Sequence, residues 1–408
     1  MKLLWLNAGV LLPLDKGGKL RTWHLMRHLA ARHDITYLSF EDASQREDDR
    51  RGMREVCRRL VTVPRSDAGK GGWRFYADAA SYLIDPAPYA VAKYRSARYR
   101  ARVSDLLASE PFDAIVCDFL PPVANLPAAL PCPAVLFTHN VEAEIWRRHV
   151  ETARNPVARG LLAQQWRRML RFEGAALARF DGVLAVSESD AKTFTRLYPD
   201  RLQAPIHIVQ TGVDTEYFTP PPDEPSRTHM VFTGSMDWLP NEDCMTYFCR
   251  EILPRIRQTE PGATLSIVGR APTPAVRKLA AIAGVDVTGR VDDVRPHIAR
   301  AAIYVVPLRI GGGTRLKIFE AMSMAKAVVS TAIGAEGLPV ASGRDVEIAD
   351  EPARFAHAVV RLMRDAAARR AIEAAARRLV VERYDWSAVS MDFEQALLRF
   401  ATTARVAA

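Results

Sequence analysis

Between Gly311 and Met322 the chain reads Gly-Gly-Gly-Thr-Arg-Leu-Lys-Ile-Phe-Glu-Ala-Met, which puts backbone donors, two cations and a carboxylate within a few residues of each other. Gly311, Gly312 and Gly313, followed by Thr314, leave backbone N–H groups bare, and the expected helix brings its partial positive end to the same place. Such a turn is a seat for phosphate. Arg315 adds a guanidinium fork and Lys317 a point charge. Glu320 falls on the same helix face as Lys317, where a carboxylate repels phosphate but accepts hydrogen bonds from a sugar hydroxyl. Cations for a diphosphate beside a carboxylate for a ribose read as a nucleotide site. The plainer reading is a glycine turn followed by a Lys–Glu helix pair worth about 0.2–0.5 kcal/mol. Against it, Leu316, Ile318, Phe319, Ala321, Met322 and Met324 are apolar nearly all round, and ionisable groups on a buried helix need partners. The run lacks the Gly-Lys-Ser/Thr of a Walker loop, and no Gly-x-Gly-x-x-Gly follows the first strand, so a nicotinamide cofactor is disfavoured.

The elements that must position this turn alternate along the chain. Strands are expected at Lys2–Asn7, Ile35–Phe40, Ala114–Cys117, Ala134–Thr138, Gly182–Val186 and Ile206–Val209, with a helix from Lys19 to Ala31 among those between. The pattern restarts at Met230–Thr233 and runs through Thr264–Val268, Val285–Thr288, Ile303–Val306 and Ala327–Ser330. Strands alternating with helices imply α/β domains with parallel sheets covered on both faces. The proline run from Thr219 to Ser226 reads as a linker between two Rossmann-like domains, residues 1–219 and 220–384. An amphipathic helix closes the chain over residues 385–408, through Phe393, Leu397, Leu398 and Phe400.

A length of 408 residues suits two domains, and 49% hydrophobic with 25% charged residues is an ordinary globular balance. Cys57, Cys117, Cys132, Cys244 and Cys249 have neither paired nor metal-ligand spacing, which points to a reducing cytosol and no metal. The apolar start is interrupted by Asn7, Pro13 and Asp15, favouring a first strand over a signal peptide, and no run reaches the length of a membrane span. The net charge of +9 is uneven: residues 1–204 hold 31 Lys and Arg against 23 Asp and Glu, residues 205–408 hold 25 against 24. The front half is therefore the one expected to meet an anionic partner.

Other candidates are more open. Gly17 and Gly18 precede the first helix and offer backbone N–H groups to phosphate, or form a simple turn. His139 ends the fourth expected strand and is either a structural histidine or a group facing substrate. Asp292 and Asp293 read as helix caps before metal ligands. Between Tyr89 and Val103, Lys93, Arg95, Arg98, Arg100 and Arg102 interleave with Tyr89, Tyr94 and Tyr99. This stretch suits a solvated helix face, anionic lipid or an acidic acceptor; no recognition module for nucleic acid accompanies it.

Several segments together resemble the retaining glycosyltransferases of family four, which have the two-domain GT-B fold. Thr211-Gly212-Val213-Asp214 with Phe218 and Pro220 is similar to the family's interdomain signature, with threonine in place of asparagine. Phe232 through Met236, including Gly234, resembles the opening of the donor domain, and Gly289 through Val294 the loop before the donor helix. Gly313 through Met324, Val328 through Thr331 and Gly334 through Leu338 resemble its most specific block, in a branch associated with exported bacterial polysaccharide. Two departures stand out. Gly312 occupies the place, eight before Glu320, of the first of two family glutamates. Ser235 and Leu239-Pro240-Asn241 stand where many members carry an arginine and a lysine.

The resemblance implies a cleft between the domains, a nucleoside-diphosphate-sugar donor bound by the second domain, a glycan or lipid-linked acceptor bound by the first, and a terminal helix returning to the first. It places Glu320 at the donor ribose; because the arginine and lysine that many members carry are missing here, Arg315 and Lys317, helped by Arg309, are expected to take over neutralising the diphosphate. It aligns His139 with a histidine facing the sugar, through its ring or its backbone, and Gly17 and Gly18 with a phosphate-binding loop. Arg290 becomes a candidate for the rim of the base or phosphate, and Glu336 for sugar hydroxyls. Retention through a front-face reaction needs no dedicated base, and the absence of Asp-x-Asp from the sequence fits a metal-independent reaction without cofactor. The expected setting is cytoplasmic, with peripheral contact on the inner face of the plasma membrane. A nucleotide-sugar epimerase and a non-catalytic scaffold are the rival readings.

Overall fold

Strands β1 (Lys2–Leu6), β2 (Asp34–Glu41), β3 (Arg59–Pro64), β4 (Ala114–Asp118), β5 (Ala134–Phe137), β6 (Gly182–Ala185) and β7 (Ile206–Ile208) form one sheet in the order β3-β2-β1-β4-β5-β6-β7. A second sheet contains β8 (Ser226–Thr233), β9 (Thr264–Val268), β10 (Val285–Gly289), β11 (Ala301–Val306), β12 (Ala327–Ser330) and β13 (Glu347–Ile348), in the order β10-β9-β8-β11-β12-β13. Every strand pairing in both sheets is parallel. This computed structural model describes residues 1–14, 17–42, 45–65, 85–153, 155–310 and 316–407.

The central strands are continuous apolar runs because helices cover both faces. β4 and β11 are buried at every residue. The two strands absent from the sequence expectation, β3 and β13, are edge strands of mixed or partial burial, and so carry little hydrophobic signal. Some helices start at side-chain caps of their own, among them Ser96 for Ala97–Ser109, Asn155 for Pro156–Leu177, Ser187 for Glu188–Leu197 and, after the last strand, Asp365 for Ala366–Arg383. The first helix runs Gly17–Leu29, so Gly17 and Gly18 lie in its opening turn rather than in a loop before it.

The chain forms two units, Met1–Gln210 with Val389–Ala408, and Thr211–Ala388. Each is Rossmann-like. The boundary falls after Gln210 and not at the proline run, which lies inside the second unit. Residues just beyond Gln210 are laced into that unit: Val213 N donates to the Tyr384 carbonyl at 2.7 Å, and Thr215 Oγ1 to Asp385 Oδ2 at 2.6 Å. Arg377 donates to the carbonyls of Thr215 and Phe218. The last helix, Trp386–Ala407, starts in the second unit and from Val389 belongs to the first. There Phe393 stacks on Trp5 and meets Phe137 edge-on, with centroids 5.6 and 5.3 Å apart.

Candidate active site

In the second sheet the crossovers leave β8 and β11 in opposite directions, so the switch point lies between their carboxyl ends. Thr233 and Gly234 emerge from β8, and Thr233 Oγ1 shares a 2.5 Å hydrogen bond with the Tyr304 hydroxyl of β11. Lys317, on the helix Leu316–Ser323, brings its ammonium to this point. Its Nζ donates to Asn241 Oδ1 at 3.0 Å and lies 4.1 Å from the Phe232 ring centroid. A Cβ at Gly234 would stand 2.8 Å from that Nζ and 2.8 Å from Asn241 Nδ2, so the lysine reaches its place only beside a glycine. Asn241 is buried, and its Nδ2 donates to the Ser235 carbonyl at 2.8 Å, which fixes the amide with its oxygen toward the lysine.

Glu320, one turn on, is half-buried. Burial pushes its carboxyl up to about 7, with Lys317 pulling the other way. Asn241, in the stretch where many members of the resembled family carry a lysine, thus holds Lys317 instead. Gly269, at the end of β9, was not singled out by the sequence; the carbonyl of Gly234 leaves no room there for a side chain. Gly312, Gly313, Thr314 and Arg315, the expected phosphate seat, lie outside the described residues.

The first sheet has its own switch point between β1 and β4. Asp118 ends β4 with no exposed surface. Its Oδ2 accepts from Trp5 Nε1 at 3.0 Å, Asn7 Nδ2 at 2.7 Å and Thr22 Oγ1 at 2.7 Å. Its Oδ1 lies 2.7 Å from His139 Nε2, while Arg21 Nη1 lies 3.0 Å from His139 Nδ1. Phe119 stacks on the imidazole at 3.8 Å and 6°, and Phe137 packs against it at 4.4 Å. Burial lowers the imidazole pKa, opposed by Asp118. It also lowers Arg21 to about 10. Both His139 nitrogens thus have partners inside the protein in this arrangement. No motif marks Asn7, Arg21, Thr22 or Asp118 in the sequence; only the parallel topology brings them together.

Gly18 serves that cluster differently from the expected phosphate loop. A Cβ there would come within 2.5 Å of Phe119 Cζ, so the glycine admits the ring that backs His139. Just beyond, Glu173 receives the amides of Glu142 and Ala143 at 2.8 and 3.2 Å and the Tyr198 hydroxyl at 2.6 Å. It thereby caps the helix Glu142–Thr152, and burial pushes its carboxyl up to about 7.

Residues 16–217 match the family model described as Glycosyltransferase Family 4, and residues 227–365 that described as Glycosyl transferases group 1. The chain belongs to the glycosyltransferases. No curated protein matches it in sequence. Sucrose-phosphate synthase from Thermosynechococcus elongatus shares its fold at a TM-score of 0.66 and 15% identity, with 99% of this chain and 100% of that one covered. Anabaena HepE in complex with UDP aligns at 0.66 and 14%, covering 98% and 100%. A variant of S. aureus TarM, in complex with fondaparinux, alpha-GlcNAc-glycerol and UDP, aligns at 0.63 and 10%, covering 97% and 99%. These likenesses place the glycosyltransferase in the GT-B fold of two Rossmann-like domains.

The remaining expected site residues of this glycosyltransferase are scattered. Arg290 and Glu336 are exposed on loops after β10 and β12. Arg309 pairs with Asp243 at 2.5 Å and stacks over Tyr247 at 4.3 Å, so its charge is answered within the protein. Asp293 accepts from the Arg295 amide at 2.9 Å and from its guanidinium, just before the helix Arg295–Arg300, whose N-cap residue is Val294. The basic–aromatic stretch is not one face. It forms the helices Tyr89–Ala92 and Ala97–Ser109; Tyr99 is fully buried, donating to the carbonyls of Asn7 and Leu38, and Arg95 pairs with Asp85 at 2.8 Å. Arg98, Arg100 and Arg102 are exposed. No helix among the described residues is long and apolar enough to cross a membrane.

Proposed function

We propose that this glycosyltransferase moves a sugar, with retention of configuration, from a nucleoside-diphosphate-sugar donor to a lipid-linked or polysaccharide acceptor in bacterial cell-surface or exopolysaccharide assembly. The observation that carries the donor half is the Lys317 ammonium, held by Asn241 against Gly234 at the β8–β11 switch point, with Glu320 one turn further on. A cation fixed before the ligand arrives stabilises the departing diphosphate without reorganising at the moment of bond breaking. Arg315, by its place in the sequence, would share that charge. Glu320 would accept the ribose hydroxyls. That HepE and TarM carry UDP supports a nucleotide of this kind.

In the reaction the anomeric C–O bond to the diphosphate breaks, the acceptor oxygen bonds to the anomeric carbon from the same face, and the departing phosphate oxygen takes the acceptor's proton. No metal is required where fixed cations and a helix N-terminus meet the leaving group. Exposed Arg98 and Arg102, one helical turn apart, together with the surplus positive charge of residues 1–204, support a peripheral contact with anionic lipid on the cytoplasmic face. The free thiols of Cys57, Cys117, Cys244 and Cys249 are compatible with that compartment.

Gly312, standing where the family often has its first glutamate, supports one rival, a scaffold that binds nucleotide sugar without turning it over. The test is nucleoside-diphosphate release from a panel of nucleotide sugars with lipid-linked and glycan acceptors, and proton NMR of the product's anomeric centre. Acceptor-dependent release with a retained anomer supports the proposal. Tight donor binding with no release on any acceptor favours the scaffold, and an inverted anomer contradicts the mechanism.

A further inference from the structure

We propose that Asp118 and Arg21 are positioning residues that lock the His139 imidazole in its neutral Nε2–H tautomer and thereby hold the Thr138–Asn140 turn, its link to turnover resting on the glycosyl-transfer reading above. A guanidinium offers only donors, so His139 Nδ1, 3.0 Å from Arg21 Nη1, must be the acceptor. The proton of the neutral ring then sits on Nε2 and is donated to Asp118 Oδ1 at 2.7 Å. Asp118 cannot turn away, because its other oxygen is held by the indole of Trp5, the amide of Asn7 and the hydroxyl of Thr22. A second proton on the ring would face the guanidinium at Nδ1. The charged groups around the ring are Asp118 and Arg21, with Asp190 also acting on Arg21.

The lock joins four elements at one switch point. Trp5 and Asn7 come from the end of β1, Arg21 and Thr22 from the helix Gly17–Leu29, Asp118 from β4, and His139 follows β5. Phe119 and Phe137 pack against the ring, leaving little freedom for its plane. Neither ring nitrogen is then available to take a proton from an acceptor hydroxyl. The ring's work is to fix the main chain of the turn that bears it.

The decisive readout is long-range proton–nitrogen NMR of the histidine-labelled full chain, with Asp118→Asn, His139→Gln and His139→Ala variants alongside for turnover. The expected wild-type spectrum shows His139 as one neutral Nε2–H tautomer throughout about pH 5.5–8. Asp118→Asn sets an amide N–H or a single acceptor against four donors; its ring populates a second tautomer or titrates. In turnover, Asp118→Asn lowers kcat at least tenfold with donor KM within twofold. His139→Gln, which keeps a donor toward Asp118, retains at least tenfold more kcat than His139→Ala. A wild-type ring that titrates near the ordinary value of about 6.5 overturns the lock. So does a His139→Gln loss of the roughly 10²–10⁴-fold expected for a missing general acid or base, beside an unaffected Asp118→Asn. A wild-type chain without turnover counts against glycosyl transfer, and the spectrum alone then decides the lock.

Discussion

Lys317 and Asn241 are 76 residues apart in sequence and 3.0 Å apart at the switch point, where the amide oxygen takes the ammonium's hydrogen and the amide nitrogen returns to the Ser235 carbonyl. The lysine is thus aimed before any ligand arrives. Asn241→Ala removes that hydrogen bond, and calorimetry should show nucleoside-diphosphate affinity weakened roughly tenfold or more, the worth of a hydrogen bond to a charged group at about 1.5–3 kcal/mol. Affinity equal to wild type would mean that the lysine needs no such aim.

The Glu320 carboxyl, raised to about 7 by burial, gives the donor site a pH dependence. Its ionised form is the stronger acceptor for ribose hydroxyls. Nucleotide-sugar affinity should therefore rise as pH increases through 7 and level off above it, with Glu320→Gln removing the slope. A nucleotide sugar is the right probe because its diphosphate has no free terminal group to titrate in this range. A slope that persists in Glu320→Gln belongs to another group.

The sequence carried the strand order's ingredients but not its meeting points. A strand such as Ile303–Val306 is legible because full burial leaves an unbroken apolar run; β3, with one buried residue in six, and β13, two residues long, are not. Lys317 and Glu320 stand out since both chemistry and helical spacing sit within one short run. Asp118 and Arg21 do not, since their meaning comes from contacts 21 and 118 residues away in sequence. The stretch Tyr89–Val103 misleads for a related reason: its basic and aromatic residues do not act as one surface, since Tyr99 is buried while Tyr89, Arg98, Arg100 and Arg102 are exposed.

Glu173 and Glu320, both raised to about 7, make folding stability depend on pH in an unusual direction for carboxylates. The folded chain keeps protons that the unfolded chain releases near the ordinary value of about 4.3. Stability from these groups is present below that value and is lost as pH rises through 7. Their contribution to Tm should decline between about pH 5 and 7.5, against the rise contributed by His33, His139 and His229, whose pKa values burial lowers. Glu173→Gln, which keeps an acceptor for the Glu142 and Ala143 amides, should flatten the decline; an unchanged slope would contradict Glu173 as a contributor.

Gly18→Ala places a methyl group within 2.5 Å of Phe119 Cζ, and Phe119 is itself stacked on His139. Overpacking of this kind costs about 1–3 kcal/mol. Tm should fall and turnover with it, while nucleotide affinity, set in the second unit, stays within twofold of wild type. Gly17→Ala meets open space and should be stable, which makes it the matched control.

The most direct measurement is titration calorimetry of nucleoside diphosphates and nucleotide sugars into the wild-type chain and Lys317→Ala, each with and without EDTA. Saturable binding selective for one base, unaffected by EDTA and at least tenfold weaker in Lys317→Ala, is the predicted result. No binding of any nucleotide, or binding indifferent to Lys317, would contradict the donor site at the β8–β11 switch point.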